Sequence, residues 1–209
     1  TLNKNIYSNF KIEIDLAINK VVKKNEARSE MPISKYYNDT VKKEIGNWSS
    51  VSSLNIRQVE LIQNFFHKAM KDKDLVFLGE DIAAPYGGAF KVSKNLSIMY
   101  PERVFSTPIS EAAITGISNG LALGGMRPFL EIMFGDFITL SADQIINHIS
   151  KFQQMYNYQV EVPIVIRTPM GGGRGYGPTH SQSLEKLFLG IPGIKVVAPS
   201  HFHDPGKIL

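Results

Sequence analysis

Two periods of apolar residues alternate along residues 55–200. Val59, Ile62, Phe66 and Ala69 recur at steps of three and four, one face of a helix running to about residue 71. Asn55 and Gln58 have the spacing of a capping box at its start. LVFLGE, residues 75–80, is a continuous apolar run closed by an acid, as in a strand buried on both faces. The same reading predicts strands at 103–106, 127–133, 163–168 and 194–199, and helices at 110–124, 136–156 and 183–190. Strands alternating with helices define an α/β fold, a mostly parallel sheet with helices on both faces. Ligands of such sheets gather at the carboxyl ends of the strands.

Ahead of this body, Ile14, Ile18, Val21 and Val22 have helical spacing, and residues 26–54, which include Trp48, lose periodicity. The expected organisation is therefore a helical leader and linker over 1–54 and an α/β domain over 55–209. Charge divides the same way: residues 1–55 carry +3 of the chain's net +4, and the body is nearly neutral. The basic leader has no interleaved aromatics, so its lysines read as a solvated helix face and not as a nucleic-acid surface. No run approaches the ~18–20 apolar residues of a membrane span. With no cysteine either, the expectation is a cytoplasmic chain that binds neither membrane nor nucleic acid. TLNKNIYSNF lacks an initiator Met and a signal-peptide core, and HDPGKIL breaks off where a helix begins, so a segment of a longer protein is expected.

Three stretches follow expected strand ends: Glu111, then FGDF (134–137), then MGGGRGYGPTHSQS (170–183). Ser110 reads as an N-cap, and helix-dipole attraction of about 0.3–1 kcal/mol accounts for an acid at position 111. Yet Ala112, Ala113, Gly116 and Gly120 leave the next turns nearly bare, so a backbone or a flat ligand can approach, and burial opposes the dipole at the carboxyl. GGGRGYG lacks the closing Lys and Ser/Thr of a phosphate loop and opens no helix on its last glycine. His180 lies in a loop, where an imidazole suits proton transfer near neutral pH. Phe137 is either core or a platform for an aromatic ligand. HFHD (201–204) offers metal-like residues without a second cluster, and His180 with Ser181 lacks a nucleophile elbow.

VFLGEDI, GGAFKVSKNL, RVFSTPISEAAITGISNGLALGGMRPFLEIMFGDF, DQIIN, VPIVIRTPMGGG, HSQSLE and IPGIKVVAPS occur in order over roughly residues 54–209. Together they resemble the beta subunit of thiamine-diphosphate-dependent 2-oxo-acid dehydrogenases, the class that includes the pyruvate, branched-chain and acetoin enzymes. Transketolase and deoxyxylulose-phosphate synthase share the module, but ISE and HSQS resemble the dehydrogenase branch better. The resemblance implies the pyrimidine module of the thiamine-diphosphate-binding fold. It implies Glu111 as the glutamate that hydrogen-bonds the aminopyrimidine and activates the cofactor, and Phe137 as the aromatic packed on that ring. It implies His180 as the histidine that moves a proton when the acyl group passes to lipoamide, and Glu80 as a supporting acid of the pyrimidine pocket.

Thiamine diphosphate with Mg2+ is the implied cofactor, and a structural K+ is implied near the strand containing Ile164, partly held by residues beyond Leu209. The Gly-Asp-Gly…Asn pattern of the diphosphate half and the beta subunit's carboxy-terminal domain are both missing from these residues. The resemblance therefore implies an alpha-type diphosphate-binding domain as partner, with residues 1–50 the tail of such a domain in a fused chain. A lipoyl acyltransferase component and a homodimeric or heterotetrameric parent complete the implied assembly, and the segment alone is expected to be inactive. Met170, Arg174 and Tyr176 border the expected entrance but do not separate pyruvate from a branched 2-oxo acid. A transketolase-like carboligase and a non-catalytic assembly module of the same fold remain as alternatives.

Overall fold

The computed structural model describes Asp15, Leu16, Asn19 and residues 55–209 except Phe202. The chain divides into two compact units, Thr1–Ser49 and Ser50–Leu209. In the first, the three described residues are helical and exposed; the rest of the expected leader helix and the linker with Trp48 lie outside the described residues.

In the second unit β1 (Leu75–Glu80), β2 (Val104–Thr107), β3 (Arg127–Glu131) and β4 (Val165–Arg167) form one parallel sheet in the order β2-β1-β3-β4. Around it lie α1 (Gln58–Ala69), α2 (Leu96–Met99), α3 (Glu111–Leu123), α4 (Ser150–Met155) and α5 (Pro205–Ile208). Every residue of β1 is buried, because its alternate side chains feed two cores. On one face Leu75 and Phe77 join Val104 and Phe129 beneath Ile62, Phe66 and Met70 of the α1 region. There Phe66 stacks on Phe77 at 4.7 Å between ring centres and meets Phe129 edge-on at 5.3 Å. On the other, Val76, Leu78, Leu130 and Ile132 pack with Ile114 of α3 and with Ile138 and Ile145. The expected α/β architecture with helices on both faces is thus present. Among the described residues no helix is long and apolar enough to cross a membrane.

Four local expectations are corrected. The Asn55–Gln58 capping box does not form: Arg57 takes the cap position without a side-chain bond, and Gln58 instead donates to the Ser200 carbonyl at 2.9 Å. The single helix expected over 136–156 is three pieces, a 3-10 helix Gly135–Ser141, a π-helix Gln144–Ile149 and α4. Side-chain bonds compete with the regular ladder there, Thr139 Oγ to the Asp136 carbonyl at 3.0 Å and Ser150 Oγ to the Ile146 carbonyl at 2.7 Å. Helix 183–190 shrinks to one 3-10 turn, Glu185–Leu187. The strand expected at 194–199 is absent: Ile194 and Val196 pack on the core as the alternation requires, but no neighbouring strand supplies hydrogen bonds beyond β4.

One charged row crosses the carboxyl end of the sheet, where Gly79, Glu131 and Arg167 are register partners. Glu131 is fully buried, with Oε1 bonded to Arg167 and Oε2 without a partner. A Cβ at Gly79 would lie 2.8 Å from that of Glu131, so only glycine leaves room for the acid. Burial pushes the Glu131 carboxyl up to about 7 from 4.5, against the opposing pull of Arg167. The folded state therefore binds more protons than the unfolded one between these values, and this contribution to stability is full below 4.5 and lost as pH rises through about 7. The loss is a few kcal/mol, on the order of the linkage for a shift of this size. In Glu131→Gln the decline of the urea midpoint between pH 5 and pH 8 should become clearly shallower than in the wild type.

Candidate cofactor site

The strand order sets the ends of β2, β1, β3 and β4 side by side, so the three stretches singled out in the sequence meet at one edge of the sheet. Glu111 is the first residue of α3 and is 6% exposed. Ser110 holds the cap position as expected, yet its side chain makes no cap bond. Its backbone N–H instead donates to Glu80 Oε1 at 3.1 Å, which brings the end of β1 to the mouth of α3. Glu80 is 3% exposed; burial first, and then the charge of Glu111, push its carboxyl upward, while the Ser110 N–H pulls the other way.

The first turn of α3 is pinned from below. Thr115 Oγ and Ser141 Oγ both donate to the Glu111 carbonyl, at 2.6 and 2.9 Å, and the two hydroxyl oxygens lie 2.8 Å apart. All these contacts use the backbone of Glu111. Among the described residues nothing hydrogen-bonds its carboxylate, whose oxygens keep access to solvent although the residue as a whole is nearly buried. The outer face of the helix, Ala112, Ala113, Ile117 and Gly120, is exposed and uncharged, and a Cβ at Gly120 would meet nothing within 4 Å.

From the end of β3, Phe134 and the half-buried Phe137 close on His180, with ring centres 5.0 and 5.1 Å away, both edge-on. His180 Nδ1 lies 2.9 Å from Thr179 Oγ, so Nε2 is the nitrogen left for another partner. Sequence reasoning passed over the acid between the two phenylalanines. Asp136 Oδ1 accepts from the Gln182 side chain at 2.8 Å and from its backbone N–H at 3.2 Å. Burial raises the Asp136 carboxyl, but the Gln182 bonds, its own backbone N–H and the His180 charge together outweigh it and hold the group below its usual value. The glycine-rich stretch is tied down through its arginine. Its Arg174 donates to the Gly171 carbonyl at 2.7 Å and lies over Phe90, Phe134 and Tyr176 at 5.6–6.0 Å.

A cavity of about 300 Å3 opens beside this cluster, against Phe90, Lys91, Met133 and Phe134. A slightly larger one, about 320 Å3, lies at the opposite edge near Asp74, Arg127 and Pro163, away from every acid and ring described above. Ile164 directly precedes β4 at that opposite edge, its N–H bonded to the Val162 carbonyl at 2.9 Å. Among the described residues no group of three His, Asp or Glu is placed to hold a metal; His203 contacts Ser200 at 2.8 Å and Asp204 caps α5.

Residues 56–205 match the transketolase, pyrimidine binding domain family, and the chain belongs to it. It is 40% identical over 148 residues to the beta subunit of acetoin:2,6-dichlorophenolindophenol oxidoreductase of Cupriavidus necator, covering 66% of this chain and 44% of that one. It is 41% identical over 156 residues to the pyruvate dehydrogenase E1 component subunit beta of Acholeplasma laidlawii, covering 74% and 47%. With the 2-oxoisovalerate dehydrogenase subunit beta of Bacillus subtilis it shares 41% over 140 residues, 66% of this chain and 42% of the relative. The chain thus spans less than half the length of these relatives. A solved split-gene transketolase, an inactive beta4 tetramer, aligns with a TM-score of 0.48 at 22% identity, over 66% of this chain and 41% of that one.

Gly135 makes the cluster possible, since a Cβ there would collide with the Met170 side chain that anchors the start of the glycine-rich loop. Gly135→Ala should cost about 1–3 kcal/mol by overpacking. Trypsin cleavage after Arg174 should become faster at a fixed fraction folded, because the loop loses its seat.

Proposed function

We propose that this chain supplies the pyrimidine-binding half of a thiamine-diphosphate site in an enzyme that decarboxylates a 2-oxo acid and passes the acyl group to lipoamide. The observation that carries the reading is Glu111, a nearly buried residue at the carboxyl edge of the sheet whose carboxylate stays accessible and has no donor among the described residues. Such an acceptor fits the ring N–H of an aminopyrimidine, and the half-buried Phe137 offers that ring an apolar wall. The relatives named above support the dehydrogenase branch. When bound, the cofactor supplies the electron sink for decarboxylation.

The chain's own residues then divide the work. Glu111 accepts the ring hydrogen bond and, held by its carbonyl, keeps its position on α3. Glu80, whose carboxyl is raised by burial and by the charge of Glu111, supports the mouth of α3 by accepting from the Ser110 N–H. His180, with Nδ1 engaged by Thr179, moves a proton through Nε2 as the acyl group leaves. By the family resemblance, Mg2+ and the diphosphate are assigned to an alpha-type domain, and the K+ site near Ile164 to residues shared with the rest of the protein. A lipoyl acyltransferase component is the assigned acceptor.

In the full-length protein containing this segment, Glu111→Gln should lower 2-oxo-acid-dependent CO2 release at least ~100-fold while leaving assembly intact. Calorimetric titration with thiamine diphosphate and Mg2+ should show tight binding by that protein and none by the 209-residue chain. Undiminished turnover in Glu111→Gln, or tight binding by the chain alone, would refute the half-site.

A further inference from the structure

The proposed function gives no task to Asp136 of FGDF or Gln182 of HSQS, yet the fold joins these two motif residues across 46 positions. Asp136 is 6% exposed, and its two hydrogen bonds from another residue both come from Gln182 and end on one oxygen, Oδ1. Fixing Gln182 by its backbone N–H and its side chain at once fixes both the place and the orientation of the chain two residues after His180. Within its own 3-10 turn the carboxylate meets only its own backbone N–H, while Thr139 bonds the Asp136 carbonyl and not the side chain. Oδ2 stays buried without a partner.

The same turn supplies the two rings that flank the imidazole. Phe134 and Phe137, either side of Asp136, lie 5.0 and 5.1 Å from it, so one four-residue turn makes three contacts with the His180 segment. Ring contacts alone slide easily; the directional bonds to Gln182 set the register. That register needs outside help, because Gly171, Gly173, Gly175 and Gly177 all take positive φ and make the preceding loop costly to order. Two further ties act on the same stretch: the Gly171 N–H donates to the Gln182 carbonyl at 3.1 Å, and Arg174 donates to the His180 carbonyl at 3.5 Å.

We infer that Asp136 is a positioning residue for His180, seating the imidazole between Phe134 and Phe137 by holding Gln182. The inference rests on the proposed role of His180. It is tested on the 209-residue chain without cofactor or substrate, by proton–carbon NMR of the imidazoles, with the His180 signal among the five histidines assigned by its loss in His180→Asn. In the wild type the His180 ring protons should be displaced from the free-histidine position by the two phenyl rings. Asp136→Ala should abolish that displacement, and Gln182→Ala, approaching from the other side, should do the same if the first variant folds poorly. Asp136→Asn, which keeps an acceptor oxygen for Gln182, should retain it. Displacement unchanged in both alanine variants, with near-UV circular dichroism intact, overturns the inference, and so does equal loss in Asp136→Asn. Failure here leaves the role of His180 standing, since that role is read separately from acyl transfer to lipoamide by His180→Asn in the full-length protein.

Discussion

Strand β1 meets no solvent from Leu75 to Glu80, and a strand buried on both faces must carry its final side chain into the interior whatever its polarity. Here that side chain is a carboxylate. Its desolvation is met by a single backbone donor, Ser110, and this bond sets the point at which α3 begins. Glu111 follows at once and so arrives beside Glu80 with its own carboxylate unbonded. On the opposite face the residue before, Gly79, is small because Glu131 from β3 occupies the space above it. The central strand therefore dictates both the acid pair on one side and the Glu131–Arg167 pair on the other.

Three buried acids at this edge respond differently, and the difference lies in the balance between desolvation and the donors each one has. Glu80 has one backbone N–H and a like charge nearby, and its carboxyl rises. Glu131 has a guanidinium but is wholly desolvated, and rises further, to about 7. Asp136 has two bonds from Gln182 and an imidazole nearby, and falls. The acid at the end of β1 is thus raised and the one after β3 lowered, so the two differ in how readily they take a proton.

The proposed half-site also accounts for features that a self-contained site would not need. The outer face of α3 is apolar and open, and its Gly120 has no contact that demands a glycine within this unit. Exposed Ile109 and Ile117 extend the same uncharged surface, more apolar than a free helix face ordinarily is.

The sequence by itself determined the layers, the central strand and which residues stand as candidates for the site. Periodic burial is a local property, so α1, β1, β2, β3 and α3 lie close to where the apolar spacing puts them, and Glu111, Phe137 and His180 sit in phrases specific enough to read. Tertiary structure decided what depends on partners. The alternation at 194–199 reports two faces truly, but a strand also needs a neighbour, and none is present there. The stretch 136–156 has helical spacing, yet Ser141 is spent on the Glu111 carbonyl and the helix breaks into pieces. Asp136 with Gln182, and Glu131 with Arg167, lie 46 and 36 residues apart, and no local pattern marks either pair. Spacing along a chain records which side of an element is buried; which group answers a buried charge is fixed only when the strands are brought into register.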